Sequence, residues 1–206
     1  MVSDLVFILV IVAGSVAIYF LFAGKKNDGL EKPRKAKNLN DSQKSAEPLR
    51  IAKRFAVLHQ YQVIAPAQLA KDGKYADLDF ILVGWFGLLC VKCIGLGGQI
   101  YGSLEDEMWL QLDAGKRVSF ANPMRAAEAD SRLVRDTLFA AKLRNIPVET
   151  VCVFTNKSAT LMLPRTTGHY TVKDFRALLN KSKFDQDKGV DIPQTVEAVK
   201  KWVAAG

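Results

Sequence analysis

The chain has 206 residues, of which 49% are hydrophobic and 24% are charged, and its formal net charge is +8. The hydrophobic share is enough for a folded core and excludes a chain that is disordered throughout. The three cysteines are too few to indicate a disulfide framework in a chain of this length. The positive charge favours anionic partners, either the phosphates of nucleic acid or the headgroups of anionic lipids.

Residues 5–23 are apolar and carry no charged side chain. A helix of this length, rising about 1.5 Å per residue, would cross a hydrocarbon core about 30 Å thick. Lys25 and Lys26 follow directly, and basic flanking residues stay on the cytoplasmic side. The sequence therefore predicts a transmembrane helix within residues 1–23 of a single-pass cell-membrane protein, with its N-terminus outside and its C-terminal domain in the cytoplasm. A cleaved signal peptide fits less well, because residues 1–4 contain no Lys or Arg.

Residues 24–45 are polar and basic, and their apolar residues follow no helical or strand period. This composition predicts a flexible linker. Its positive side chains are expected to be solvated and attracted to anionic lipid, in preference to nucleic acid.

The remaining chain alternates helical and strand patterns, and we expect an α/β fold in which an α+β-like mixed sheet is flanked by helices. Apolar residues follow a helical period over residues 46–59. Residues 76–83 and 88–94 have the pattern of buried strands, with a turn at 85–87 between them. Further strands are predicted at 61–65, 99–102, around Trp109, and at 117–120, 147–155 and 160–163; further helices are predicted at 122–144, 171–179 and 192–204.

Polar side chains interrupt the two central strands. Asp77 and Asp79 share one face of the first strand, and Cys90 and Lys92 share one face of the second, because side chains alternate along a strand. A hairpin would bring Asp79 close to Lys92, and a lysine in such an apolar strand is costly unless it is paired. A purely structural Asp–Lys pair and a functional site both remain open on spacing alone.

These residues and those that follow them resemble a known family. The chain carries YQVIAPAQLAKDGKYADLDFILVGWFGLLCVKCIGLGGQIYG, then Trp109, Phe120-Ala-Asn-Pro123 and Val151-Cys-Val-Phe-Thr155. This ordered set, from Glu47 to Thr155, resembles the NERD (nuclease-related) domain, which is similar to the PD-(D/E)xK endonucleases. The resemblance implies a restriction-endonuclease-like core over residues 46–180, followed by a C-terminal helical extension over 181–206.

When the family pattern is matched to this chain residue by residue, the resemblance implies that Glu47 is the helix glutamate, Asp79 the strand aspartate and Lys92 the catalytic lysine. It also matches Gly98, Ile100 and Gly102 to a G-x-I-x-G stretch, and Asn122-Pro123 to a helix start. The sequence departs from the family pattern at two positions. Cys90 stands where the family has Glu or Gln, and Ala126 stands where it has Gln.

In such nucleases two carboxylates hold Mg²⁺, which activates a water for phosphodiester hydrolysis. The resemblance implies Mg²⁺ at Asp79, with Asp77 as a second ligand and Glu47 as a further oxygen donor. The thiol of Cys90 is a poor substitute for a carboxylate, because Mg²⁺ prefers oxygen ligands and a thiol is mostly protonated near neutral pH. The catalytic site is therefore expected to be degenerate, and no small-molecule cofactor is expected.

We therefore expect a membrane-anchored protein that binds DNA and hydrolyses it weakly or not at all. Arg125, Arg132 and Arg135 on the long helix are the candidate phosphate contacts, and an ordinary solvated helix face is the alternative interpretation. Two alternative functions remain. One is a catalytically inactive scaffold that binds a protein partner at the cytoplasmic membrane face, and the other is an active Mg²⁺-dependent endonuclease that uses Asp79 and Lys92.

Overall fold

The computed structural model of the protein describes residues 38–203. Within this range no helix is both long and apolar enough to cross a membrane. The predicted anchor at residues 5–23 and most of the predicted linker lie outside the described residues.

Helix α1 spans Asp41–His59 and begins earlier than the predicted residue 46. The side chain of Asn40 accepts a hydrogen bond from the Gln43 N–H at 2.9 Å, and the Gln43 side chain accepts one from the Asn40 N–H at 3.3 Å. This reciprocal capping box satisfies backbone donors that a helix start otherwise leaves unpaired. Residues 41–45, which the composition assigned to the linker, are therefore part of α1.

A five-stranded mixed sheet forms the centre of the fold. Its strands are β1 Gln62–Ile64, β4 Phe80–Gly84, β5 Gly87–Ile94, β9 Val148–Phe154 and β11 His169–Thr171, and they lie in that order across the sheet. Strands β4 and β5 form the predicted antiparallel hairpin, with Phe80 opposite Val91, and β9 runs parallel to β5. The helices are α1, α2 Pro123–Ala140, α3 Val172–Leu179 and α4 Ile192–Lys200. The sheets are flanked by helices, so the fold is a mixed α/β fold.

The single strand predicted at residues 76–83 is wrong, because the chain bends at Asp79. Before the bend, β3 (Lys74–Leu78) pairs with β2 (Ala67–Lys71) in a separate hairpin, and after it β4 joins the central sheet. At the bend, the Asp79 N–H donates to the Val91 carbonyl at 3.0 Å. The bend therefore holds Asp79 at the edge between two sheets instead of inside one strand.

A second sheet has the order β10-β6-β7-β8 and comprises Ala159–Met162, Gly98–Tyr101, Met108–Asp113 and Lys116–Ala121. Gly98 has a φ of +77°, and a Cβ there would lie 2.6 Å from the Leu112 carbonyl oxygen. A Cβ at Gly102 would lie 2.4 Å from the buried ring of Trp109. The glycines of the G-x-I-x-G stretch are thus required by close packing.

Asn122 begins α2 and also ties the second sheet to it. Its side-chain oxygen accepts from the Met124 N–H at 2.9 Å, while its amide nitrogen donates to the carbonyl of Asp106 at 2.8 Å. At the other end of the chain, Val196 and Val199 of α4 are buried in the main hydrophobic core. Helix α4 therefore packs into the same core as the central sheet.

Candidate active site

Charged side chains from α1, β3, β5 and α2 meet beside the bend at Asp79. We call this group the lysine–carboxylate cluster. Each of its members forms an ion pair with at least one other, and they are Lys44, Asp77, Asp79, Lys92 and Asp130.

Lys92 lies near the end of β5, and only 15% of its side chain is exposed. Its Nζ donates to the Asp77 carboxylate at 2.7 Å and also to the Asp77 backbone carbonyl. It lies 3.7 Å from the Asp130 carboxylate on α2. A half-buried ammonium requires such partners. The lysine is paired, as its apolar surroundings required, and its contacts are with Asp77 and Asp130.

Asp79 is the more buried of the two strand aspartates, with 11% of its side chain exposed. Its carboxylate accepts a hydrogen bond from the Cys93 N–H at 2.7 Å. Burial raises the pKa of Asp79, and the Cys93 N–H and the Lys44 ammonium offset only part of that rise. By contrast, the hydrogen bond from Lys92 holds the pKa of Asp77 below its usual value.

Lys44 of α1 reaches the Asp79 carboxylate at 3.8 Å and pairs with Asp41, one turn earlier, at 2.8 Å. Burial acts to lower the pKa of Lys44, but the hydrogen bond to Asp41 and the charge of Asp79 outweigh it and raise the pKa. Lys44 is not among the residues predicted for the site, because the composition of residues 24–45 predicts a linker there. A helix extended back to the Asn40 cap would have placed Lys44 one turn before Glu47 and on the same side as Pro48.

Asp130 also escaped sequence analysis, although it lies directly before the buried Ser131 on α2. Burial raises the pKa of Asp130, and the charge of Lys92 opposes this rise. In the sequence, Asp130 is an acidic residue at the border of the buried face of α2. This position is weak evidence for a site, because such borders usually hold solvated charges.

Glu47 lies apart from the cluster. Its carboxylate is 3.8 Å from Arg176 of α3. It lines a separate cleft with Thr155, Lys173 and Arg176. The helix side chain that the structure brings to Asp79 is that of Lys44.

Cys90 is fully buried in β5, opposite Ile81 and Thr150 of the neighbouring strands. Burial raises the pKa of the Cys90 thiol to about 12, so the thiol stays protonated at neutral pH. A protonated, buried thiol does not provide the oxygen ligand that Mg²⁺ prefers.

The donor set does not fit a Mg²⁺ site as it is arranged. Among residues 38–203, no group of three or more His, Cys, Asp or Glu side chains is placed to hold a metal ion. The carboxylates of Asp77 and Asp79 are instead neutralised by the ammonium groups of Lys92 and Lys44. The pair predicted as metal ligands thus forms ion pairs with lysines.

The profile of the nuclease-related domain (NERD) matches residues 37–155, which include the central hairpin, the second sheet and α2. This chain belongs to the NERD family. No curated protein matches the chain. The NERD match covers every member of the lysine–carboxylate cluster, so the cluster lies within the matched part of the chain.

Of the three arginines predicted to contact phosphates in this NERD protein, Arg135 is held in place. It donates to Glu128 at 2.8 Å and to the Val148 carbonyl at 3.1 Å. Arg125 is exposed and lies 3.7 Å from the exposed Glu107. Arg132 is exposed, and no ion pair of Arg132 occurs within residues 38–203. Arg125 and Arg132 are therefore the accessible members of the predicted set.

Proposed function

We propose that this NERD protein binds DNA through exposed basic residues and that its own site does not hydrolyse phosphodiesters. We further propose that it does so at the cytoplasmic face of the cell membrane, held there by residues 5–23. The observation that carries the proposed absence of hydrolysis is the lysine–carboxylate cluster, in which lysines pair with the carboxylates that a nuclease would offer to a metal ion.

Phosphodiester hydrolysis requires groups that the lysine–carboxylate cluster does not leave free. Cleavage of a phosphodiester near neutral pH needs an activated water and a positive charge that stabilises the developing negative charge. Lys92 could stabilise charge, but its ammonium is already bound to Asp77 and Asp130. Asp79 is bound to the Cys93 N–H and lies beside Lys44. The cluster therefore has no unpaired carboxylate to act as a base or a ligand.

The charge of the cluster also locates the proposed DNA contacts elsewhere. The cluster holds three carboxylates and two ammonium groups, so it would repel a phosphate backbone. Arg125 and Arg132 lie on the exposed side of α2, and the whole chain carries a net charge of +8. Phosphate contacts from exposed arginines give binding that weakens steeply with salt.

The proposal is tested by fluorescence anisotropy with a labelled DNA duplex and the full chain in nonionic detergent. We expect binding whose logarithmic salt slope falls by about two in the double variant Arg125→Gln/Arg132→Gln, because each phosphate contact contributes about one. The matched control, Lys181→Gln/Lys188→Gln, removes the same charge from the exposed segment after α3 and should leave the slope near that of the native chain.

Absence of salt-sensitive binding would refute the DNA-binding proposal and favour the scaffold alternative. Equal losses in the two double variants would refute the assignment of the contacts to α2, because the effect would then follow from net charge alone.

A further inference from the structure

The outer face of α1 combines positive charge with exposed aliphatic side chains. Arg50, Lys53, Arg54, Val57 and Leu58 follow the three- and four-residue spacing that places them on one side of a helix. Val57 is 80% exposed and Leu58 is 71% exposed. The inner residues of the same helix, including Ala52 and Phe55, are buried in the main core, so this face is not needed to hold the domain together.

The positive charge on this face gathers around a groove between α1 and α3. Arg50 and Arg54 line one side of the groove and Arg176 lines the other, over a volume of about 340 Å³. Ile51 and Leu179 contribute apolar surface to it. Like charges four residues apart on a helix repel each other. Within residues 38–203, no carboxylate forms an ion pair with Arg50 or Arg54, whereas Arg176 lies 3.8 Å from the carboxylate of Glu47.

We propose that the outer face of α1 docks against an anionic phospholipid surface. The arginines around the groove would bind lipid phosphates through paired N–H donors. Val57 and Leu58 would enter the boundary between headgroups and acyl chains, as the apolar side chains of interfacial helices do. This proposal is independent of DNA binding by α2.

The aliphatic residues favour lipid over the other anionic partners. A nucleic acid backbone offers phosphates but no apolar surface for Val57 and Leu58, and bases are usually met by aromatic side chains. An acidic protein would need a complementary apolar patch as well as negative charge. A bilayer surface offers phosphates to the arginines and, just below them, acyl chains to Val57 and Leu58. Residues 24–37 also leave enough chain for a domain anchored by residues 5–23 to meet the same bilayer.

The test uses the full chain in vesicles and a fluorophore that reports its surroundings. The native cysteines Cys90, Cys93 and Cys152 are buried, so Leu58→Cys provides an accessible thiol for the label. We expect the label to shift to shorter wavelength in vesicles of phosphatidylcholine with phosphatidylserine, and not in vesicles of phosphatidylcholine alone.

Neutralising the arginines should undo the docking. In the Arg50→Gln/Arg54→Gln/Arg176→Gln variant, the ratio of docked to undocked protein should fall about fivefold per arginine, or about a hundredfold in total, because each basic residue near an anionic surface contributes about 1 kcal/mol. The control variant Lys74→Gln/Lys116→Gln/Arg117→Gln removes the same charge from exposed strand residues and should keep the native ratio within a few fold.

Equal emission in the two kinds of vesicle, or a shift that survives the triple arginine substitution, would overturn the proposal. A response to added DNA duplex or to polyglutamate in phosphatidylcholine vesicles, without a response to phosphatidylserine, would assign the face to nucleic acid or to an acidic protein. Because the DNA-binding test depends on Arg125 and Arg132 in detergent, failure of either proposal can be distinguished from failure of the other.

Discussion

Replacing Lys92 by Met should destabilise the folded domain, because it removes the ammonium but keeps most of the buried aliphatic stem. Two carboxylates lose their partner: Asp77, whose side chain is 66% exposed, and Asp130, whose side chain is 18% exposed. The Asp77 backbone carbonyl also loses a donor.

The magnitude follows from these contacts. A hydrogen bond to a charged group contributes about 1.5–3 kcal/mol, and breaking a fully buried ion pair costs about 3–5 kcal/mol. Because water can solvate Asp77 once Lys92 is gone, most of the loss arises at Asp130. We expect the free energy of unfolding to fall by about 2–3 kcal/mol.

The assay is urea unfolding of the full chain in nonionic detergent, followed by tryptophan fluorescence, to which Trp109 contributes because it is 1% exposed in the folded domain. Lys74→Met is the matched control, because the Lys74 ammonium lies 3.9 Å from Asp136 and both side chains are exposed. Its effect should stay below about 0.5 kcal/mol.

A double-mutant cycle isolates the contact with Asp130. If the reasoning is correct, Asp130→Asn added to Lys92→Met should recover about 1 kcal/mol, because it removes the carboxylate left without a partner. An effect of Lys92→Met no larger than that of Lys74→Met, or strict additivity in the cycle, would refute the view that Lys92 neutralises a half-buried carboxylate.

Two further predictions concern the aspartates and the chain start. At pH 7, Asp79→Asn should stabilise the domain and Asp77→Asn should destabilise it, because burial raises the pKa of Asp79 above 3.8 whereas Lys92 lowers that of Asp77. The destabilisation caused by ionised Asp79 is absent below pH 3.8 and develops as the pH rises from 3.8 through the raised pKa. The stabilisation contributed by ionised Asp77 is present above pH 3.8 and is lost as the pH falls through the lowered pKa. Urea midpoints at pH 3 and pH 7 check both signs, and effects of the same sign at pH 7 would contradict them. A chain starting at Asn38 should be about 4 kcal/mol more stable to urea than one starting at Ser45. The shorter chain lacks the α1 cap and the hydrogen bonds of Asn38 and Leu39 to Gly97, Gln111 and Gly95. Equal urea midpoints would show that residues 38–44 contribute nothing to stability.

Much of the fold could be predicted from periodicity and turn chemistry. The hairpin of β4 and β5 follows from two apolar runs around a short turn, and α3 follows from Thr171, whose hydroxyl accepts from the Asp174 N–H. These features are local, so the residues that specify them are close in the sequence. The bend at Asp79 could not be predicted this way. It depends on bonds to Val91 and Cys93 of the neighbouring strand, which an alternating pattern does not encode.

The candidate site was predicted only in part for the same reason. Asp77, Asp79 and Lys92 stand out because polar residues interrupt buried strands. Lys44 and Asp130 complete the cluster from two helices that are far away in sequence, and on those helices they look like ordinary surface charges. The resemblance pointed to Glu47 on α1, one turn after the side chain that reaches Asp79.

We propose that pairing of the carboxylates with lysines leaves this NERD protein without hydrolytic activity, and a nuclease assay tests this proposal most directly. Supercoiled DNA is incubated with the native chain in Mg²⁺ and in Mn²⁺, alongside Asp79→Ala, Lys92→Ala and Cys90→Glu variants. Our account predicts no cleavage by the native chain beyond that of the Asp79→Ala variant. Robust cleavage by the native chain that is abolished by Asp79→Ala or Lys92→Ala would contradict it and establish the active endonuclease.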